Sequence, residues 1–395
     1  MIEDNGPRVD RAAIGPPEHQ SMKDQHELDV ACMRRAVRIA LLGHGLAEPN
    51  PLVGCVITDP EGHVIATGHH ARHGGPHAEV IALERAGSVA RGGTLYVTLE
   101  PCRHHGRTPP CTDAIITAGI SRVVYGTADP FEPAGGGAAV LAEAGIMIEF
   151  LELPQVERLN RPWVTRVTKG RPWVIAKSAM TLDGRIATST GQSKWISSET
   201  SRRLVHRERG RVDVILTGIG TVLKDDPELT ARQGTPRRLA MRVLYDPDLL
   251  IPDTAKIIQT ARDVPTLIAT NAVTLADRSG HAERLREHGI VFMELTADSE
   301  DKRLEMMLRT LHKEHDVANV LLEAGGGLSG KLLRAGLIDQ LWLFLGPCIL
   351  GDQQAPGPMR GLSPGWIKES TRLELLSART REQDVVLDYL VDQGD

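Results

Sequence analysis

Aromatic side chains make up only 3% of the 395 residues, so any core has to be assembled from Val, Ile, Leu and Ala. No apolar run approaches the roughly 18 residues that a membrane-spanning helix needs. The strongest, Leu341 to Leu350, is interrupted by Gly346-Pro347 and reads as a buried strand. An excess of positive charge is also missing. The formal net charge of -5 gives no general reason to bind nucleic acid or an anionic membrane. Five cysteines, an odd number in a chain of this size, argue against a disulfide framework and for a reducing cytoplasm. Met1 to Gln25 lacks the apolar centre of a secretory signal and is expected to be a disordered tail.

Hydrophobic content of 41% and charged content of 25% are ordinary for a globular protein. The length is too great for one core, so two domains of roughly 150–200 residues are expected. Val30, Met33, Val37, Ala40 and Leu41 form one stripe of a helix over residues 27–43. After it come strands at Val53–Thr58, His63–Gly68, Thr94–Leu99, Arg122–Thr127 and Ile146–Leu151. Helices are expected from His77 to about Ala86, with Gly87 as C-cap, and over Cys111–Ala118, Gly137–Ala144 and residues 154–169. Gly170-Arg171-Pro172 closes this half, and strands alternating with helices resume from Trp173. Both halves therefore read as α/β, with a tail over 1–25 and domains over 26–170 and 171–395.

The chemistry is concentrated in His77-Ala78-Glu79, Pro101-Cys102 and Cys111. H-x-E followed by P-C-x-x-C is the layout of zinc deaminases acting on nucleobases. Here eight residues, Arg103 to Pro110, separate the two cysteines instead of two. One imidazole and two thiolates make a catalytic rather than a structural zinc set, because a fourth position stays open for water. Both ligand groups lie where helices begin, and helix N-termini favour thiolate over thiol. Glu79 is then the base that moves the water's protons. Taken singly, Cys32, Cys55 and Cys348 read as small buried hydrophobes.

The segments Pro49-Asn50-Pro51-Leu52-Val53-Gly54-Cys55-Val56, Pro76-His77-Ala78-Glu79-Val80 and Tyr96-Val97-Thr98-Leu99-Glu100-Pro101-Cys102 carry a wider resemblance. With His104-His105-Gly106-Arg107-Thr108-Pro109-Pro110-Cys111 added, residues 27–390 resemble the bifunctional riboflavin biosynthesis deaminase–reductase family. The resemblance implies a three-layer cytidine-deaminase-like domain followed by a domain similar to dihydrofolate reductase. It implies a zinc deaminase that removes the amine of a diaminopyrimidinone ribosyl phosphate, then an NADPH-dependent reductase that turns the ribosyl group into ribityl. Matching positions place Asn50 and His70 near the pyrimidine and Arg107 near its phosphate. Two departures stand out. Arg103 replaces the small Ser usual after Pro-Cys, and Asp129-Pro130-Phe131-Glu132-Pro133-Ala134-Gly135-Gly136-Gly137 lacks the second Asn of the family's Asp-Pro-Asn-Pro and is one residue short.

In the second half the resemblance runs through Lys177 to Gly184, Ser193 to Ile196, Gly218 to Pro227 and Leu322 to Leu328. Two glycine clusters, Gly218/Gly220 and Gly325 to Gly327, follow apolar strands, and backbone N–H groups at a helix start can receive phosphate oxygens. By the resemblance, Ala179, Trp195, Thr221, Asp225, Gly325, Gly326 and Gly327 lie near NADPH. Ser193, Arg209, Leu229, Arg232 and Glu323 fall at substrate positions, with Arg209 and Arg232 as phosphate ligands. Lys177, Asp183, Asp225 and Glu323 are all open as the proton donor. The partners expected are phosphorylated pyrimidines and further copies of the chain, without nucleic acid or membrane. Two rivals are a deaminase of another pyrimidine or of RNA, and a zinc-stabilised scaffold without catalysis.

Overall fold

A computed structural model describes residues 18–104 and 109–392. The first half is built from α1 (Glu18–Ala40), β1 (Gly54–Thr58), β2 (Val64–His69), α2 (Ala78–Ala86) and β3 (Thr94–Val97). It continues with α3 (Cys111–Ala118), β4 (Arg122–Tyr125), α4 (Gly137–Glu143), β5 (Met147–Phe150) and α5 (Pro154–Lys169). Its sheet runs β2-β1-β3-β4-β5, antiparallel across the first three strands and parallel from β3 to β5.

Alternation along the strands sends side chains to two opposite layers. Val56, Tyr96 and Val124 meet Met33 and Ala36 of α1 and Val156 of α5. Cys55, Ile57, Leu95 and Val97 meet Ala78 and Ala82 of α2, Ile115 of α3 and Leu141 of α4. This is the three-layer arrangement expected. Close approach fixes α2: a Cβ on Gly68 would fall 2.2 Å from the Ala78 carbonyl oxygen, so only glycine lets the helix start so near β2.

The second half contains β6 (Trp173–Met180), α6 (Glu199–Arg209), β7 (Val214–Gly218), α7 (Ile219–Asp225), β8 (Met241–Tyr245), α8 (Lys256–Gln259) and β9 (Thr266–Asn271). Then follow α9 (Ala272–Asp277), α10 (Ser279–Glu287), β10 (Val291–Leu295), α11 (Glu300–His315), β11 (Asn319–Leu322) and α12 (Gly326–Arg334). β12 (Gln340–Leu345), β13 (Leu373–Arg381) and β14 (Asp384–Val391) complete it. Nine strands run in the order β10-β9-β8-β7-β11-β6-β12-β14-β13. Neighbours from β10 to β12 pair in parallel, and β13 and β14 add an antiparallel hairpin. Both faces of the parallel region are covered, as parallel sheets require. Val214, Leu216 and Val243 pack on α11 and α12, while Ile215, Leu244 and Ile268 pack on α8 and α10.

Several expectations shift. Residues 1–17 of the expected tail lie outside the described residues, and 18–25 already belong to α1. Leu41, placed on the apolar stripe, is half exposed because the helix tightens into a short turn at Leu41–Gly43. Cys32 and Cys55 are buried as expected, but Cys348 is exposed, since Gly346-Pro347 carries the chain off the end of β12. Among the described residues no helix is long and apolar enough to cross a membrane.

Candidate functional site

His77 is the N-cap of α2 and Cys111 the first residue of α3, while Cys102 follows β3. These local starts bring three ligand atoms within 4.8 Å of one another. Nδ1 of His77 lies 3.0 Å from Cys111 Sγ and 3.4 Å from Cys102 Sγ, and the Cys111 N–H donates to Cys102 Sγ at 3.4 Å. The Cys111 thiol, then the His77 ring, hold the Cys102 sulfur as thiolate and push its pKa down to about 4. The neighbouring Cys102, together with burial, pushes Cys111 up. Two sulfurs this close cannot both carry charge on their own; a divalent cation between them would stabilise both thiolates.

Glu79, in the first turn of α2, is buried, and its Oε2 has no hydrogen-bond partner among the described protein atoms. Burial raises the Glu79 pKa. An orphaned carboxylate oxygen beside a His/Cys/Cys set fits a zinc site with water between the two. Among the described residues this is the one cluster of its kind.

Beside the metal set runs a chain of side-chain contacts. Asn50 Nδ2 donates to His70 Nε2 at 3.0 Å, and His70 Nδ1 donates to the Pro76 carbonyl at 3.0 Å. Asn50 Oδ1 faces His73 Nδ1 at 3.2 Å, and the His70 ring stands edge-on to His77 with centroids 5.7 Å apart. Burial lowers the His70 pKa, which keeps the ring neutral and its Nε2 an acceptor. Asn50 and His70 are thus brought to the zinc set, while Arg107 lies outside the described residues.

Glu100, to which the sequence reading gave no role, anchors the altered loop. Its carboxylate accepts the Gly136 and Ala138 N–H groups at 3.1 and 3.0 Å and the Asp129 N–H at 3.3 Å. A Cβ on Gly137 would fall 1.8 Å from the Pro101 carbonyl oxygen, so the loop rests directly on the Pro101-Cys102 backbone. The exposed Arg103 side chain lies over Gly136. A glutamate directly before Pro-Cys is the one signal that could have pointed to this anchor.

The second site is a cleft of about 1110 Å³ lined by the carboxyl ends of β6, β7 and β8 and the segment after β11. Ligands of open parallel sheets bind at this edge. Ala179, Ser193, Trp195, Arg209, Thr221, Asp225, Leu229, Arg232, Glu323 and Gly325 to Gly327 all line it, so the expected cofactor and substrate positions converge on one cavity, which Asp183 does not line. Gly325 caps α12 and its N–H donates to Thr221 Oγ1 at 3.1 Å, leaving the first-turn N–H groups of α12 beside the cleft. Trp195 is 70% exposed, with Arg202 stacked 4.2 Å from its ring centroid, so it is a cleft wall rather than a core residue.

A charge cluster occupies the floor. Arg209 donates from Nε and Nη2 to the two Glu323 oxygens at 2.5 and 2.9 Å, and from Nη1 to the Thr230 carbonyl at 3.2 Å. Lys177 Nζ lies 3.9 Å from Glu323 Oε2. Burial alone would raise the Glu323 pKa, but the Arg209 guanidinium and Lys177 hold it down to about 2. Arg209 is therefore engaged by protein acceptors, whereas the Arg232 guanidinium makes a half-exposed contact to Glu228 at 3.4 Å. Asp183 is held down to about 2 by Thr181 and by the Gly351 and Leu350 N–H groups, which ties it to a loop as an anion. Burial lowers the Lys177 pKa.

Comparison with known proteins supplies the context. Residues 172–387 match the family model "RibD C-terminal domain", and residues 26–127 match "Cytidine and deoxycytidylate deaminase zinc-binding region". The riboflavin biosynthesis protein RibD of Aquifex aeolicus is 38% identical over 364 residues, which cover 91% of this chain and 98% of that protein. RibD of Escherichia coli is 38% identical, covering 81% and 88%. Among solved structures, Acinetobacter baumannii RibD superposes with a TM-score of 0.78 at 33% identity, covering 93% and 99%. A diaminohydroxyphosphoribosylaminopyrimidine deaminase/5-amino-6-(5-phosphoribosylamino)uracil reductase from Thermotoga maritima gives 0.78 and 33%, covering 93% and 100%.

Proposed function

The chain belongs to the RibD family of riboflavin biosynthesis proteins, and from that premise we propose which substrate, cofactor and residues its two sites use. It is a bifunctional enzyme of riboflavin biosynthesis, a deaminase in its first half and a reductase in its second. The deaminase substrate is a diaminopyrimidinone bearing a phosphoribosylamino group, and its deaminated product is the reductase substrate. Domains over 26–170 and 171–395, a homo-oligomer, a cytoplasmic location and no nucleic-acid partner belong to the same reading.

The observation that carries it is the convergence of His77, Cys102 and Cys111 beside the orphaned Glu79 carboxylate. Zinc held by His77, Cys102 and Cys111 supplies activation of water near neutral pH. Glu79 takes one proton from the attacking water and passes it to the ring nitrogen, then takes the second from the hydroxyl so added and passes it to the departing amine, which leaves as ammonia while the hydroxyl becomes the ring carbonyl. Asn50 and His70 present amide and ring edges to the pyrimidine, and Arg107 meets the phosphate.

In the reductase half NADPH supplies the hydride. The α12 N-terminus at Gly325 to Gly327, with Thr221 and Asp225, would hold the cofactor, with Ala179 and Trp195 lining the same cleft. Ser193, Leu229 and Arg232 hold the substrate, with Arg232 on the phosphate, and Arg209 and Glu323 form the floor beneath it. Hydride addition to the open-chain imine carbon leaves the nitrogen to be protonated. Glu323 and Asp183 are both held as anions and Asp225 is assigned to the cofactor, so of the four candidates Lys177 is the donor. The test is a two-stage assay of the purified chain. Ammonia should appear from the diaminopyrimidinone phosphate without NADPH, and NADPH oxidation should begin only once deaminated product exists. Ammonia from cytidine or tRNA instead would overturn the substrate.

A further inference from the structure

Between α1 and the pyrimidine-side residue Asn50 runs a segment, residues 41–50, whose contacts cross to the other half of the chain. Arg237 Nη1 donates to the Leu42 and His44 carbonyls at 2.7 and 2.8 Å. Arg238 donates from Nε to the Gly45 carbonyl at 3.2 Å and from Nη2 to the Glu48 carbonyl at 2.8 Å. The His44 ring bridges two carboxylates. Its Nδ1 lies 2.6 Å from Glu48 Oε1 and its Nε2 3.0 Å from Glu208 Oε1, on α6. A Cβ on Gly45 would fall 3.0 Å from the Arg211 Cα, at a backbone φ of +88°. Glycine is required there for both the close approach and the backbone conformation.

This segment also supports the deaminase wall. The His73 N–H donates to the Leu46 carbonyl at 2.9 Å, and a Cβ on Gly43 would fall 2.5 Å from the His70 carbonyl oxygen. Asn50, at its end, holds His70 Nε2. On the far side, Glu208 precedes Arg209, whose guanidinium forks Glu323. Four backbone carbonyls of the segment are thus gripped by guanidinium groups belonging to the reductase half. Two acceptors on one imidazole require both ring nitrogens to carry protons. Burial opposes that charge, but Glu208 and Glu48 outweigh it and hold the His44 pKa up at about 9, so the bridge is charged at neutral pH.

We propose that Arg237, Arg238 and Glu208 are positioning residues for the deaminase: docking on the reductase half sets the 41–50 segment, and through it the Asn50–His70 wall that meets the pyrimidine. The proposal rests on the deaminase reading of the zinc site. Its physical basis is that substrate positioning is sensitive to shifts of an ångström in the groups that line a pocket. Arg237 is the cleanest probe, because it is exposed and both of its hydrogen bonds described above reach this segment.

The test uses the full chain with zinc, carrying Arg237→Ala, Arg237→Lys or His44→Gln, assayed well below its melting temperature. Coupling through such a contact network should raise the deaminase KM about threefold to thirtyfold. Deaminase kcat should stay within about twofold, the signature of lost binding rather than lost chemistry. Zinc content and the reductase constants, measured on pre-formed deaminated substrate, should be unchanged, and Arg237→Lys should recover part of the KM. If Arg237→Ala does not fold, His44→Gln carries the same comparison. A wild-type KM in folded Arg237→Ala and His44→Gln overturns the proposal, as does an equal loss in both activities. A wild-type chain that releases no ammonia would overturn the deaminase reading and this proposal with it.

Discussion

Replacing Glu323 with Gln tests the charge cluster on the reductase floor. The side chain keeps its shape but loses its charge, leaving Arg209 and Lys177 without a buried counter-ion. The folded carboxyl is held down to about 2 against an ordinary 4.5, which corresponds to about 3 kcal/mol of stability at neutral pH. Since the folded pKa is depressed, that contribution is complete above the ordinary value and is lost as pH falls towards 2. For a domain of this size 1 kcal/mol moves the melting temperature by about 2–4 °C, so the reductase transition should drop by about 6–12 °C at pH 7. The same substitution frees the Arg209 fork, and reductase turnover should fall. The measurement is calorimetry of both chains from pH 7 down to pH 3. A variant melting within about 2 °C of wild type at pH 7, or a gap that does not narrow on acidification, would refute the assignment of Glu323 as a buried anion.

Three further outcomes follow from the geometry. Glu79→Gln should abolish ammonia release while zinc stays bound at one equivalent, and undiminished turnover would remove Glu79 as the proton carrier. Gly137→Ala should weaken zinc affinity about tenfold to a hundredfold in a chelator competition, because the added methyl pushes the Pro101-Cys102 backbone aside. An unchanged affinity would show that the loop does not support Cys102. Arg232→Ala removes a charge-assisted phosphate contact of about 1.5–3 kcal/mol and should raise the reductase KM about tenfold to a hundredfold, with the constant for NADPH unchanged.

What the sequence displayed and what it hid divide along physical lines. The buried strands β1 and β3 were visible because each is a continuous apolar run between turn residues. The hairpin of β13 and β14 was not. β13 lies at the sheet edge with most of its side chains exposed, so no alternation marks it. Its turn uses Glu382 at φ 55° rather than an Asn-Gly pair. The short helix α7 starts directly after Gly218 at the end of β7, and a glycine cluster there gave no sign of a helix. The zinc ligands were legible because the chemistry fixes their residue types and the motifs are local. The Arg209–Glu323 fork joins residues 114 apart in sequence, and the His44–Glu208 contact joins residues 164 apart. Both partners of the fork were picked out individually, but periodicity and spacing carry no information on which distant charges meet.

The altered loop over 129–137 shows why a departure from a family pattern need not open a site. The missing Asn and the shortened spacing would matter if side chains of the loop held it closed. Here the hold comes from elsewhere. Glu100 accepts three backbone N–H groups of the loop and its following helix, and backbone donors are indifferent to which side chains stand at Phe131 or Glu132. Asp129 keeps its own contacts, accepting the Phe131 N–H at 3.0 Å and the Trp163 indole N–H at 3.1 Å. Phe131 then packs edge-on between His104 and Trp163, which ties the substituted position to the segment after Cys102 and to α5. Substitution at these loop positions is therefore absorbed, whereas loss of the Glu100 carboxylate would leave three N–H groups beside the zinc ligands without their acceptor.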